Sequence, residues 1–167
     1  WHLGDELEFL PTNQGFDSYY GIPYSNDMYP AKSMQYADDC LFCDGVTKQI
    51  LDERFAASKN MKGNLREFRN KVPLMHNEAC IEFPADQTTI TKRYASEGIA
   101  FISESVKQET PFFPYLANSM PHTPLFVSPE FKDKSERGLY GDVIEEIDFN
   151  VGRILDHLKE LKIEDNT

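Results

Sequence analysis

Positive charge is scarce in these 167 residues: 17 Lys and Arg stand against 28 Asp and Glu, a formal net charge of −11. Such a chain repels phosphate polyanions, which argues against a nucleic-acid partner. Any anion site must therefore be built locally, from a few placed donors and not from a broad positive field. Long hydrophobic runs are missing as well. Stretches such as Ile99-Ala100-Phe101-Ile102 fall far short of the roughly 20 apolar residues that a spanning helix needs. Cysteine is sparse, with three residues, Cys40, Cys43 and Cys80. Cys40-Leu41-Phe42-Cys43 has C-x-x-C spacing, but no second such pair or histidine pair follows to complete a zinc site. Asp38 and Asp39 precede it and would raise a thiol pKa, the opposite of what a redox-active pair requires. A local disulfide or plain unpaired thiols are the remaining readings. Internal repeats and low-complexity tracts are absent.

What is present reads as a globular chain of one ordinary domain, 40% apolar and 27% charged. Residues 5–36 are punctuated by Pro11, Gly15, Gly21, Pro23 and Pro30, which predicts loops with short extended pieces. Residues 37–72 are polar, densely so from Lys59 to Lys71, and read as a variable surface insertion, partly helical. Residues 87–108 carry Ile90, Tyr94, Phe101, Ile102 and Val106 at helical spacing, with Thr88 and Thr89 as candidate caps. Pro111 to Ala117 is a short apolar run of buried-strand type, with Pro114 awkward inside it because proline cannot donate to a ladder. Residues 139–161 predict an amphipathic helix of about six turns, striped by Leu139, Val143, Ile147, Val151, Ile154, Leu155, Leu158 and Leu161. Helix, strand, loop, helix is an α/β order. Both ends read as interior positions of a longer fold: Trp1-His2-Leu3-Gly4 opens without a cap, and Asp165-Asn166-Thr167 stops in a turn directly after a helix.

Four histidines are candidates for chemistry. His157, near the end of the last helix, reads as a half-exposed surface residue, and His76 as structural or solvent-facing. His122 lies in Met120-Pro121-His122-Thr123-Pro124, directly after the apolar run, and prolines on either side stiffen the loop that aims its imidazole. The crevice beyond the carboxyl ends of strands is where open α/β sheets bind ligands. Most loop histidines, however, do nothing chemical. Ser25, next to Pro23-Tyr24, reads by itself as a turn former. Asp38-Asp39 reads as a pair of solvated surface acids.

Several segments, in order, resemble the type I sulfatase family in its arylsulfatase A and N-acetylgalactosamine-6-sulfatase branch. Trp1-His2-Leu3-Gly4 resembles the tail of the family's Gly-Lys-x-His-Leu-Gly motif, and Pro11 with Gly15-Phe16-Asp17 resembles the stretch after it. Tyr20-Gly21-Ile22-Pro23-Tyr24-Ser25-Asn26-Asp27 is similar to the Gly-Ile-Pro-Tyr-Ser-His-Asp segment. Pro111 to Pro124 resembles the family's strand and Pro-His-Thr-Pro loop. Arg137 to Thr167 resembles the long helix before the last metal-binding strand.

The resemblance implies an alkaline-phosphatase-like α/β fold with a mixed sheet flanked by helices, of which residues 1–167 are the central part of a catalytic domain truncated at both ends. It implies sulfuric ester hydrolysis, acting on a sulfated carbohydrate or an aryl sulfate. His2 matches the histidine that contacts the nucleophile and helps release sulfate. Ser25 matches a serine at the sulfate site. His122 matches the histidine that binds the ester and protonates the leaving oxygen. A sulfate ester needs donors on its oxygens and an acid of near-neutral pKa at its leaving group, and imidazole suits that task.

The family also uses calcium and a formylglycine made from the cysteine of C-x-P-x-R. The segments that begin at Cys40, Cys43 and Cys80 all depart from that pattern, so nucleophile and metal ligands are expected outside these residues. Asn26 stands where the family has histidine, and Pro114 where it has leucine. The family works in periplasm, lysosome or outside the cell. A non-catalytic binder of sulfated glycans and a phosphate-ester hydrolase of the same fold are the alternatives.

Overall fold

The computed structural model describes residues 1–57 and 65–167. Residues 58–64, part of the charged stretch expected on the surface, lie outside the described residues. The chain divides into two compact units, Trp1–Ala85 and Asp86–Thr167.

The first unit holds a mixed four-stranded sheet. Its strands are β1 (Tyr20–Gly21), β2 (Tyr36–Phe42), β3 (Leu74–His76) and β4 (Ala79–Phe83), in the order β1-β3-β4-β2. β3 and β4 form an antiparallel hairpin closed at His76–Ala79, and β2 joins β4 in parallel. The hairpin turn is Asn77-Glu78. Asn77 takes a left-handed φ of 53°, which asparagine tolerates better than most residues. Its side-chain oxygen accepts the Tyr19 N–H at 3.0 Å, fixing the chain that enters β1. Helix α1 (Lys48–Ala57) follows β2. Thr47 starts it, its hydroxyl accepting the Ile50 N–H at 3.2 Å. Leu10, Met34, Val46, Leu51, Leu65, Phe68, Met75, Cys80 and Phe83 make one buried cluster.

Two expectations change here. Residues 36–42 form a strand at the start of what reads as a polar surface insertion, because Tyr36, Cys40 and Phe42 turn toward the core while Asp38, Asp39 and Leu41 stay exposed. The stretch after it also buries Val46, Leu51, Leu65, Phe68 and Val72, so its described part is packed against the sheet's core and not simply laid over a surface.

The second unit holds α2 (Ile90–Lys107) and α3 (Gly138–Glu160), the two helices that the spacing predicts. Ser96, Gly98 and Ser103 of α2 meet Arg153, Ile154 and His157 of α3, so the helices run in the same sense. The caps differ from expectation. Thr88 and Thr89 turn their hydroxyls to the Asp86 side chain and carbonyl, at 2.6 and 2.9 Å, and no side chain caps α2.

The face of α3 differs too. Leu139, Val151 and Leu155 of the apolar stripe are exposed, whereas Asp142, Glu146 and Asn150 are buried. Those polar groups are buried because they hold backbone. The Asp142 carboxylate accepts the N–H groups of Asp133, Lys134 and Ser135 at 2.9, 3.0 and 2.7 Å, and Glu146 Oε2 accepts that of Ser128 at 3.1 Å. The same loop comes so near the helix that a Cβ at Gly141 would collide with the Ser135 side chain.

Residues 111–117 form no strand. Phe113 is 74% and Tyr115 65% exposed, and no described segment pairs with them. Apolar, extended sequence becomes a strand only where a neighbour supplies a ladder, and Pro111 and Pro114 each remove a donor.

Candidate functional site

In the first unit, His2 and Ser25 come from segments that the backbone joins. The N–H groups of His2 and Gly4 both donate to the Pro23 carbonyl, at 3.0 and 3.3 Å, two residues before Ser25. His2 is held there in the left-handed region at φ 76°, a conformation that costs a non-glycine residue on the order of 1 kcal/mol or more. Trp1 secures the segment: its indole N–H donates to the Phe9 carbonyl at 2.6 Å, and its ring meets Phe16 edge-on at 5.9 Å. The His2 imidazole is exposed.

Ser25 is half-buried, and its hydroxyl donates to Asp27 Oδ1 at 2.6 Å. That is a short, charge-assisted bond. A serine that donates to Asp27 presents only lone pairs elsewhere, so it can donate to a sulfate oxygen only after rotating off the carboxylate. Asp27 was missed by sequence reasoning, because a bond between two side chains of a turn leaves no mark in composition or period.

A second acid nearby was also missed. Asp5 lies beside Tyr24 in the charge interactions of this loop, and among the described residues its Oδ2 is buried with no hydrogen-bond partner. Burial raises its carboxyl above the ordinary 3.8, a hydrogen bond from its own backbone lowers it, and Glu6 raises it further. Burial likewise pushes the Tyr24 phenol well up, with Asp5 adding to it.

His122 belongs to the second unit, on a loop pinned from two sides. Tyr94 of α2 and Ser119 share a hydroxyl–hydroxyl bond at 3.1 Å. Met120 and Val127 bury themselves against Val143 of α3, with Leu125, Phe126 and Ile147 around them. The His122 N–H donates to the Ser119 carbonyl at 3.3 Å, and the flanking Met120-Pro121 and Thr123-Pro124 peptides are cis. The imidazole is exposed, and its Nδ1 lies 2.7 Å from the Thr123 carbonyl oxygen. A carbonyl can only accept, so Nδ1 carries a proton and Nε2 is the basic nitrogen of the neutral ring.

His157, by contrast, is tied into the helix pair through Nε2 to Ser103 at 2.7 Å and faces Glu160 at 3.5 Å. His76 is exposed at the end of β3. Among the described residues, no group of three or more His, Cys, Asp or Glu side chains is disposed to hold a metal ion.

A mixed four-stranded sheet in the first unit and a pair of long helices in the second place the chain in the α/β class. The family model that matches is Sulfatase, over residues 6–167, and the chain belongs to the sulfatase family. It is 31% identical over 169 aligned positions to N-acetylgalactosamine-6-sulfatase of Canis lupus familiaris and 30% identical to arylsulfatase A of Homo sapiens. Both alignments cover 100% of this chain, but only 27% and 30% of those proteins. The crystal structure of Ps i-CgsB is similar with a TM-score of 0.67 at 28% identity, covering 100% of this chain and 34% of that one. The chain thus spans about a third or less of the relatives it matches. The same structure in complex with k-i-k-neocarrahexaose gives a TM-score of 0.65 at 29% identity.

Proposed function

We propose that the full-length protein is a sulfuric ester hydrolase and that these residues supply its leaving-group acid and part of its sulfate site. The observation that carries this reading is the family match across residues 6–167. His122, protonated on Nε2, donates that proton to the ester oxygen as the S–O bond breaks. The Thr123 carbonyl holds the ring by Nδ1 throughout, so the acid is aimed before substrate arrives.

Ser25 turns from Asp27 to donate to a sulfate oxygen, and His2 assists departure of sulfate. The nucleophile, a formylglycine, and the calcium ion belong to parts of the full-length protein beyond these residues. The substrate is a sulfated carbohydrate or an aryl sulfate. A carbohydrate is favoured because a relative of this fold is known in complex with k-i-k-neocarrahexaose. The protein works outside the cytosol, in periplasm, lysosome or the extracellular space.

The test is release of inorganic sulfate by the full-length protein from sulfated galactose and galactosamine oligosaccharides, beside the matching phosphate monoesters. Sulfate release that falls in His2→Ala and Ser25→Ala variants supports the reading. Retention of sulfated oligosaccharide without turnover makes the protein a binder, and faster phosphate release makes it a phosphatase. Either result overturns the proposal.

A further inference from the structure

The cysteines are reactive groups that the proposed hydrolysis leaves unused, and the fold sorts them differently from their spacing. Cys40 lies in β2 and Cys80 in β4, the strand that pairs with β2 in parallel. Their Sγ atoms are 3.9 Å apart. Cys80 is fully buried, with its thiol directed at the Glu82 carbonyl at 3.4 Å, and Cys40 is half-buried above it.

Cys43 is placed otherwise. The backbone stays extended and paired through it, since the Cys43 N–H donates to the Phe83 carbonyl at 2.8 Å. Side chains alternate along extended backbone, so residues three apart point to opposite faces. Their Cα atoms are about 10 Å apart, beyond the roughly 7 Å that a disulfide can bridge. The C-x-x-C spacing is therefore not a bonding pair, and the local disulfide that it suggests has no geometry to form.

We propose that Cys40 and Cys80 close a structural disulfide across β2 and β4 in an oxidising compartment, and that Cys43 remains a thiol. The oxidant is a small-molecule disulfide such as oxidised glutathione. Cys40 is the more accessible sulfur and reacts first. Its thiolate attacks one sulfur of the oxidant, breaking that S–S bond and expelling one glutathione thiolate. The Cys80 thiolate then attacks the Cys40 sulfur and expels the second. The two protons lost by the cysteines end on the two released thiols, and the two electrons reduce the oxidant. Burial raises both thiols, and Cys80 the more strongly, so the exchange is slow in each direction. That suits a structural staple and not a redox switch. Closure needs the sulfurs to approach to about 2 Å, a distance that side-chain rotation on adjacent strands can supply.

The experiment uses the full-length protein secreted through an oxidising compartment. It is alkylated in denaturant without reduction, digested, and read by mass spectrometry. The expected result is a linked peptide pair joining Cys40 to Cys80, two hydrogens lighter than the reduced pair, with Cys43 alkylated. A link from Cys40 to Cys43, a link from either Cys40 or Cys80 to any other cysteine, or alkylation of both thiols overturns the proposal.

Thermal melts give a second readout. Wild type and Cys43→Ser should lose several degrees of melting temperature when reductant is added, and Cys40→Ser should not respond. A reductant-insensitive wild type contradicts the staple even if Cys80→Ser fails to fold. The outcome is independent of whether the protein hydrolyses sulfate esters.

Discussion

Replacing His122 with alanine separates two jobs that the histidine could do, holding the ester and protonating its leaving oxygen. The Nδ1 proton is committed to the Thr123 carbonyl at 2.7 Å, so the proton that can move is the one on Nε2. General acid catalysis is worth about 10²–10⁴ in rate, or roughly 2.7–5.4 kcal/mol of barrier at 1.36 kcal/mol per decade. That stabilisation is needed only where the leaving oxygen is basic. On a sugar sulfate, whose leaving group is an alkoxide, His122→Ala should lower kcat/KM of the full-length protein by about 10²–10⁴. On nitrophenyl sulfate, whose leaving group departs without a proton, the loss should stay within about tenfold. His122→Gln keeps a hydrogen-bond donor that cannot transfer its proton, so it should restore KM on the sugar sulfate without restoring kcat. The assay is sulfate release against a series of leaving groups of graded pKa, and the variant should show the steeper dependence. Equal losses across the series would refute proton transfer and leave binding as the role. Full activity would remove His122 from the mechanism.

Three further outcomes follow from the geometry. Asp142 has its carboxyl lowered by the N–H of Ser135 first, and by those of Asp133 and Lys134, so its contribution is complete above the ordinary 3.8 and lost as pH falls through the folded value. Asp142→Asn should therefore melt lower at neutral pH and converge with wild type in acid, and a gap independent of pH in thermal melts would contradict this. Asp5 has the opposite sign, because burial raises its carboxyl. Its favourable contribution is present below 3.8 and lost as pH rises through the folded value, so Asp5→Asn should raise the melting temperature at neutral pH and give no gain in strong acid. Finally, Asp27→Asn weakens the hold on the Ser25 hydroxyl by roughly 1 kcal/mol, the difference between charged and neutral acceptors, so inorganic sulfate should inhibit about fivefold more tightly. Weaker inhibition by sulfate would show that Asp27 orients Ser25 and does not compete for it.

The helices were legible because repetition over many residues averages out local exceptions. Ile90, Tyr94 and Ile102 mark α2 and all three are buried. In α3 the period was legible but the buried face was not. The stripe cannot show that Asp142 and Glu146 serve backbone N–H groups of the 128–135 loop, which requires knowing where that loop runs.

The sheet was nearly invisible. β1 and β3 are two and three residues long, too short for alternation to register, and Asp38-Asp39 disguises β2 as a loop. Conversely, Pro111 to Ala117 has strand composition without strand pairing, because pairing is a property of neighbours. The ordered motifs drew attention to His2 and Ser25 in the first unit and to His122 in the second. The Pro23 carbonyl that gathers the His2 segment, and the Asp27 carboxylate that occupies Ser25, carry no signal in composition or period.

Among the described residues β2 stands at the end of the sheet, and that position gives its solvated aspartate pair a consequence. A terminal strand offers an unfilled row of backbone donors and acceptors to any passing extended chain, the usual route to sheet-on-sheet aggregation. Asp38 and Asp39 stand exposed on that rim. A second copy of these residues trying to extend the sheet would bring its own carboxylates against them, and that like-charge repulsion opposes edge-to-edge pairing.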